Sequence, residues 1–419
     1  MKKRKQIIIG SGTAALSALK QIRKAGCDDE VFVLTMENYA PYSPMSLPYV
    51  VSERVTGQAI QMVPGNFFDL MGATFLKEAK VTSIVPSEKK IVLDGGKSMA
   101  YDRLLIASGS DPIIPDIARS VGGMGFHVMD DCLSLIKHLN GKKKIVILGA
   151  GLVAMEMAAA LREKNHEIVV IAPRERVLRN YFDIEASGRI ISLFESQGVT
   201  IHLNWGELIQ AERAGSSVGM RFGNGGTISA DILLSCIGVK ARTSFLAGSG
   251  IEIGQGVKVD RQMKTNIPDI FAAGDVAEAA DFFSGRQGVN PILPSAVGQG
   301  KTAGTNMADQ ESVYEGWLSM NTFNFFGHLA TSVGKTVPDE GDEVLVTKNG
   351  DYRKVISREG RLLGASFLDT DIDAGVIQYL IRRGVILGRY KDALLEVPRE
   401  VAFWLMHEAE ESDTITKEE

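Results

Sequence analysis

The chain has little cysteine: three residues in 419, Cys27, Cys132 and Cys236, far apart and in no CxxC pair. That excludes a disulfide framework and leaves no cysteine-based zinc or iron–sulfur site; no metal is expected, and a reducing, cytoplasmic setting fits best. It also lacks a charge excess of one sign. Its 46 basic and 51 acidic side chains leave a net charge of -5, which does not suit a protein built to neutralise nucleic-acid phosphates. Long apolar runs are missing too. The basic start is followed by only Ile7, Ile8 and Ile9 before Gly10, too short for a signal peptide or a membrane span. What remains is a chain 45% hydrophobic, long enough for two or three cores, with small molecules or proteins as its partners.

Two stretches share one pattern: a β-branched run, a glycine turn, an alanine-rich helix and a second β-branched run. The first is QIIIGSGTAALSALKQIRKAG with VFVLTMEN; the second is KKIVILGAGLVAMEMAAALREKN with EIVVIAP. Each reads as a β-α-β unit. In the first, Gly10 permits the tight turn, Gly12 lets backbone approach a diphosphate, and the small Ala15 allows helix and strand to pack closely. Thr13 and Ala14 open the helix, whose unpaired N–H groups and dipole favour negative charge. Glu37, roughly 20 residues beyond the turn, can accept hydrogen bonds from a ribose. Gly149, Gly151, Leu152, Val153 and Ala154 repeat the arrangement. Here the second strand ends in Arg174-Glu175-Arg176, where an NAD site usually offers an acid. Arg174 and Arg176 suit a 2′-phosphate, which favours NADPH, with NADH left open through Glu175. Gly238 belongs with this second set.

Between and after the two units, turn signals at Pro86, Gly95-Gly96 and Asp111-Pro112 suggest further short strands. From about Trp317 the pattern becomes strands followed by helices, an α+β domain, and the tail after His407 is acidic and expected to be disordered.

Two more segments, YDRLLIASGSDPIIP with Ala107, Ser108 and Gly109, and TNIPDIFAAGDVAE with Gly274 and Asp275, resemble the ATG and TxxPxIFAAGD signatures of the FAD-dependent pyridine nucleotide-disulfide oxidoreductase family. The resemblance runs over about residues 5–306, with four motifs in family order. It implies an α/β fold with two Rossmann-type, three-layer nucleotide-binding domains. An FAD domain at 1–115 and 243–316 would be interrupted by an NAD(P) domain at 116–242, followed by an interface domain at 317–408 that often mediates dimers, and by the tail at 409–419. It further implies that Asp275 binds the flavin ribityl, that Ser295 and Ala296 begin a helix facing the flavin pyrimidine, and that Glu156 lies near the nicotinamide.

The segment ENYAPYSPMSLPYVV resembles the CGLPY segment of coenzyme A disulfide reductases and related NADH oxidases, but Met45 stands at the redox-cysteine position. A thioether forms neither a thiolate nor a mixed disulfide. The same segment is similar to the ExxxPYxRPxLSK pattern of ferredoxin and rubredoxin reductases, with Pro44 in place of the arginine and Tyr49 in place of the lysine. The expected mechanism is therefore hydride transfer between nicotinamide C4 and flavin N5, with a one-electron iron–sulfur protein or subunit as the other partner. This makes the chain an NAD(P)H:ferredoxin-type oxidoreductase, as a homodimer or as the flavin subunit of a larger redox complex. An NAD(P)H oxidase acting on oxygen or a small electrophile, and a docking subunit holding structural FAD, are the alternatives.

Overall fold

The computed structural model describes residues 3–347 and 350–418. The chain divides into two compact units: residues up to Ile113, His127–Cys132 and Gly238–Trp317 form the first, and Ile114–Phe126, Leu133–Ile237 and the residues from Leu318 onward form the second.

The first unit is built on a parallel sheet whose strands stand in the order Ile270–Ala272, Arg103–Ile106, Lys5–Ile9, Glu30–Leu34, Ala73–Leu76. The central strand pairs Ile7 with Phe32 on one side and Leu104 on the other. Ile7, Ile8, Leu104 and Leu105 are wholly buried. A parallel sheet covered on both faces calls for such unbroken apolar runs. Helix Thr13–Lys24 buries Ala14, Ala15, Leu16, Ala18, Leu19 and Ile22, and places Arg23 and Lys24 in its last turn, where cations offset the dipole. Helix Leu293–Met307 lies against it through glycine: a Cβ on Gly300 would sit 2.3 Å from the Ala14 carbonyl oxygen, and one on Gly304 would sit 2.4 Å from that of Ala18.

Asp111-Pro112, expected as a turn, instead belongs to strand Ser110–Pro112, which pairs antiparallel with Val239–Ala241. A two-stranded ribbon leaves alternate N–H groups unpaired, so it tolerates a proline.

The second unit holds another parallel sheet, ordered Val199–His202, Glu167–Ile171, Lys144–Leu148, Ile232–Ser235, Met124–Gly125, with helix Leu152–Glu163 following its central strand. It also contains a five-stranded antiparallel sheet ordered Met320–Phe325, His328–Gly334, Arg361–Leu368, Arg353–Arg358, Glu343–Val346. Aromatic rings join the two sheets' elements: Tyr181 and Phe182 meet Phe323, and Phe194 meets Phe325 and Phe326. Asp183, which caps helix Ile184–Ser196, accepts hydrogen bonds from Tyr352 Oη at 2.7 Å and Lys354 Nζ at 2.9 Å.

Helix Pro398–Glu418 runs into the acidic tail, and Glu419 lies outside the described residues. No helix among the described residues is long and apolar enough to cross a membrane.

Candidate functional site

The residues of the first set gather where the strands of one sheet end. Gly10 follows Lys5–Ile9, Glu37 lies just beyond Glu30–Leu34, Ala107–Gly109 follow Arg103–Ile106, and Gly274 and Asp275 follow Ile270–Ala272. The carboxyl edge of an open parallel sheet is where such folds bind ligands. Gly10 has φ +112°, and a Cβ there would stand 2.0 Å from the Ala107 carbonyl oxygen, so only glycine fits. Gly12, the N-cap of helix Thr13–Lys24, faces open space, whereas Ala15 is wholly buried. Thr13 Oγ1 lies 3.6 Å from Met62 Sδ.

Side chains missed by the sequence reading hold this edge in shape. Tyr42 Oη donates to Glu37 Oε2 at 2.7 Å. Ser110 Oγ donates to Asp275 Oδ2 at 2.9 Å. The Arg242 guanidinium binds Asp111 and the carbonyls of Ser108 and Ser110, while Ser108 Oγ donates to the Arg242 carbonyl at 2.9 Å. Gln299 Oε1 accepts from Gly274 N–H at 2.8 Å. Ser110 and Tyr42 sit within the quoted motifs and could have been suspected there; Arg242 and Gln299 carry no local signal. At the start of helix Leu293–Met307, Ser295 and Ala296 are both buried, and the Ser295 hydroxyl oxygen is enclosed without a hydrogen-bond partner.

The second set lies on the second unit's sheet. Gly149 has φ +100°, with a Cβ position 2.4 Å from the Cys236 carbonyl oxygen, and Gly151 caps helix Leu152–Glu163 facing open space. Leu152 and Val153 form the first turn, and Ala154 is wholly buried. Glu156 is half-buried, and burial pushes its carboxyl up to about 7. Arg174 is exposed, and Arg176 reaches the Arg179 carbonyl. Their loop is held by backbone: Asn204 N–H donates to the Arg174 carbonyl at 3.0 Å and Trp205 N–H to the Ala172 carbonyl at 3.2 Å. Trp205 stacks on His202 at 4.1 Å, and burial lowers that imidazole's pKa. Gly238 stands apart from these residues in the chain's division. It lies in the first unit, where its carbonyl accepts from Ile113 N–H at 3.0 Å, because the ribbon with Ser110–Pro112 draws it there.

Residues 4–300 match the family model described as pyridine nucleotide-disulphide oxidoreductase. The chain belongs to this family. Among its relatives, the epsilon subunit of an NADH-dependent phenylglyoxylate dehydrogenase from Aromatoleum evansii is 34% identical over 95% of this chain and 97% of that protein. An NADH oxidase from Methanocaldococcus jannaschii is 30% identical over 74% of this chain and 71% of its own. A solved structure of the water-forming NADH oxidase from Lactobacillus brevis, bound to NADH, superposes with a TM-score of 0.85 at 21% identity, covering 92% of each chain. As a member of the pyridine nucleotide-disulphide oxidoreductase family, the chain is an FAD-dependent NAD(P)H oxidoreductase whose cofactors are FAD and NADH or NADPH.

The first unit's edge fits FAD. The space beside Gly12 at a helix N-terminus can take a diphosphate, two carboxylates are available for sugar hydroxyls, and the orphaned Ser295 hydroxyl needs a polar partner. The redox thiol found in some family members has no counterpart. Met45, in the turn Pro44–Ser46, is 52% exposed. Cys132 is buried, its thiol pushed up to about 11, and burial takes the Cys236 thiol to about 12. Burial also raises Cys27, which lies beside Asp29. None offers a thiolate at neutral pH.

Proposed function

We propose that this oxidoreductase passes electrons between a nicotinamide dinucleotide and a one-electron iron–sulfur protein or subunit, without a thiol relay. The observation that carries the reading is Met45: an exposed thioether in a segment that resembles the redox-cysteine segment of disulfide-reducing relatives. When bound, FAD supplies two-electron exchange with a nicotinamide and one-electron exchange with an iron–sulfur centre. Gly10, Gly12, Thr13, Ala14 and Ala15 form the diphosphate turn. Glu37 accepts from the adenosine ribose and Asp275 from the ribityl chain, with Ala107, Ser108, Gly109 and Gly274 shaping the edge between them. Ser295 and Ala296 present the helix N-terminus to the flavin ring, and the Ser295 hydroxyl takes a hydrogen-bond partner there.

In the second unit, Gly149, Gly151, Leu152, Val153 and Ala154 bind the nicotinamide dinucleotide's diphosphate. Arg174 and Arg176 flank its adenosine end, and Arg174 offers a cation to a 2′-phosphate. Glu156, near its titration midpoint at neutral pH, holds or releases a proton beside the nicotinamide. The similarity to a dehydrogenase subunit over nearly the whole of both chains supports a role as the flavin subunit of a larger complex, and three unpaired cysteines fit a reducing cytoplasm.

Anaerobic stopped-flow bleaching of the flavin band near about 450 nm tests the reading. Bleaching by NADH or NADPH followed by reoxidation with ferredoxin is the expected result. Reoxidation by oxygen at a comparable rate would support an oxidase, in keeping with the relative of that name. No bleaching with either nucleotide would overturn the enzymatic reading in favour of a docking role. Met45→Cys is expected to leave flavin reduction by the nicotinamide intact; its loss would mean that Met45 shapes the flavin site.

A further inference from the structure

Residues His127–Cys132 belong to the first unit although the chain on either side of them belongs to the second. Asp131 closes the turn there: its Oδ2 accepts from the N–H groups of His127 at 2.9 Å and Val128 at 3.1 Å, where helix Met129–His138 begins. From this turn two hydrogen-bonded arms reach carboxylates. Met129 N–H donates to Tyr42 Oη at 2.9 Å, and Tyr42 donates onward to Glu37 Oε2 at 2.7 Å. His127 Nε2 lies 3.3 Å from Ser110 Oγ, which donates to Asp275 Oδ2 at 2.9 Å. Because the Ser110 proton is committed to Asp275, the contact requires His127 to carry its proton on Nε2. Beside these arms, Tyr39 Oη donates to Asp130 Oδ1 at 2.6 Å, a third tie to the same turn.

Both relay hydroxyls are inaccessible, Ser110 at 2% and Tyr42 at 8% exposure, so water does not replace a lost partner cheaply. Burial and the Glu37 carboxylate push the Tyr42 phenol well above its ordinary range, which keeps it a donor. Each relay occupies one carboxylate oxygen and leaves the other to accept from a ligand hydroxyl. A carboxylate held in one rotamer before binding loses less entropy when the ligand arrives.

We propose that residues 127–131 are a positioning arm of the flavin site, fixing Glu37 and Asp275 through the Tyr42 and Ser110 hydroxyls. The proposal rests on the assignment of these two acids to FAD. It makes Tyr42, Ser110 and His127 determinants of flavin retention, although none need touch the flavin.

The test uses the holoprotein, following release of FAD on dilution by the rise of flavin fluorescence, with global unfolding followed separately by circular dichroism. Tyr42→Phe and Ser110→Ala are each expected to weaken FAD retention about tenfold, the scale of one hydrogen bond to a charged acceptor. The double variant is expected to lose about a hundredfold, since the arms meet different carboxylates. Ser110→Thr, which keeps the hydroxyl, is expected to restore retention. Unchanged retention in both single variants would overturn the proposal, as would losses that merely track a falling unfolding midpoint. If Ser110→Ala does not fold, His127→Leu, which removes the donor, carries the same comparison, with faster release at an unchanged unfolding midpoint expected and unchanged release overturning the Ser110 arm. Asp275→Ala separates the two levels. Should it release FAD while Ser110→Ala and Tyr42→Phe retain it, the arm fails alone; should it too retain FAD, the assignment of Asp275 fails.

Discussion

Glu156 is a carboxyl whose environment opposes its charge. Burial alone lifts it to about 7 from an ordinary 4.5, so the folded chain binds this proton more tightly than the unfolded chain does. Below the unfolded value both states are protonated and nothing is lost. Between the two values stability falls as pH rises, and above about 7 the full cost, up to about 3 kcal/mol, is present. Glu156→Gln is therefore expected to be more stable than the parent at pH 8 and indistinguishable at pH 4, measured by urea unfolding; the same pH slope in both proteins would assign the titration to another group. Arg174 acts at the same scale through charge. Arg174→Glu is expected to weaken NADPH about tenfold or more while changing NADH much less, read from the nucleotide dependence of flavin bleaching. Equal losses for the two nucleotides would remove the 2′-phosphate argument.

The paired helices Thr13–Lys24 and Leu293–Met307 depend on the absence of side chains where they meet. Ala14 and Ala18 on one helix oppose Gly300 and Gly304 on the other, each pair one helical turn from the next, and the backbones approach until no Cβ would fit on either glycine. Gly304→Val must drive the helices apart or distort their backbone, at a cost of about 3 kcal/mol. Because the second helix also carries Ser295, this variant is expected both to melt earlier and to release FAD more readily. A lower melting temperature with unaltered flavin retention would show that the helix start is held independently of its middle.

Across the whole second unit, a polar tie connects the cap of helix Ile184–Ser196 to the C-terminal sheet. Lys354 is 4% exposed and reaches both Asp183 and the Thr336 carbonyl. Burial by itself would raise the Asp183 carboxyl, but hydrogen bonds from Tyr352, Ala186 N–H and Lys354 bring it below its ordinary range. A depressed folded value stabilises above the unfolded carboxylate range, and that contribution is lost as pH falls through the folded value. Lys354→Met leaves Asp183 without its cation and is expected to cost about 3 kcal/mol at pH 7. The difference from the parent should shrink below about pH 4, again by urea unfolding; a difference independent of pH would attribute the loss to packing around residue 354.

How much of this was legible in sequence follows from chain distance. A glycine turn, its helix and the carboxylate beyond the next strand span fewer than 30 residues, and the geometry of a β-α-β unit brings them together whatever else the chain does. Gly10, Glu37, Gly149 and Ala154 could therefore be found by spacing alone, as could the α/β class from unbroken β-branched runs. The ribbon at Asp111-Pro112 was not legible because local turn signals do not reveal which distant strand will pair. Sequence by itself determined the α/β class with its two glycine turns and the methionine at position 45, since both are local statements about residue type. Only the tertiary structure decided that Ser110, His127 and Asp275 meet, that Tyr42 turns to Glu37, and that Gly300 and Gly304 admit another helix. Those contacts join segments up to some 290 residues apart in sequence, which packing brings together and no spacing rule encodes.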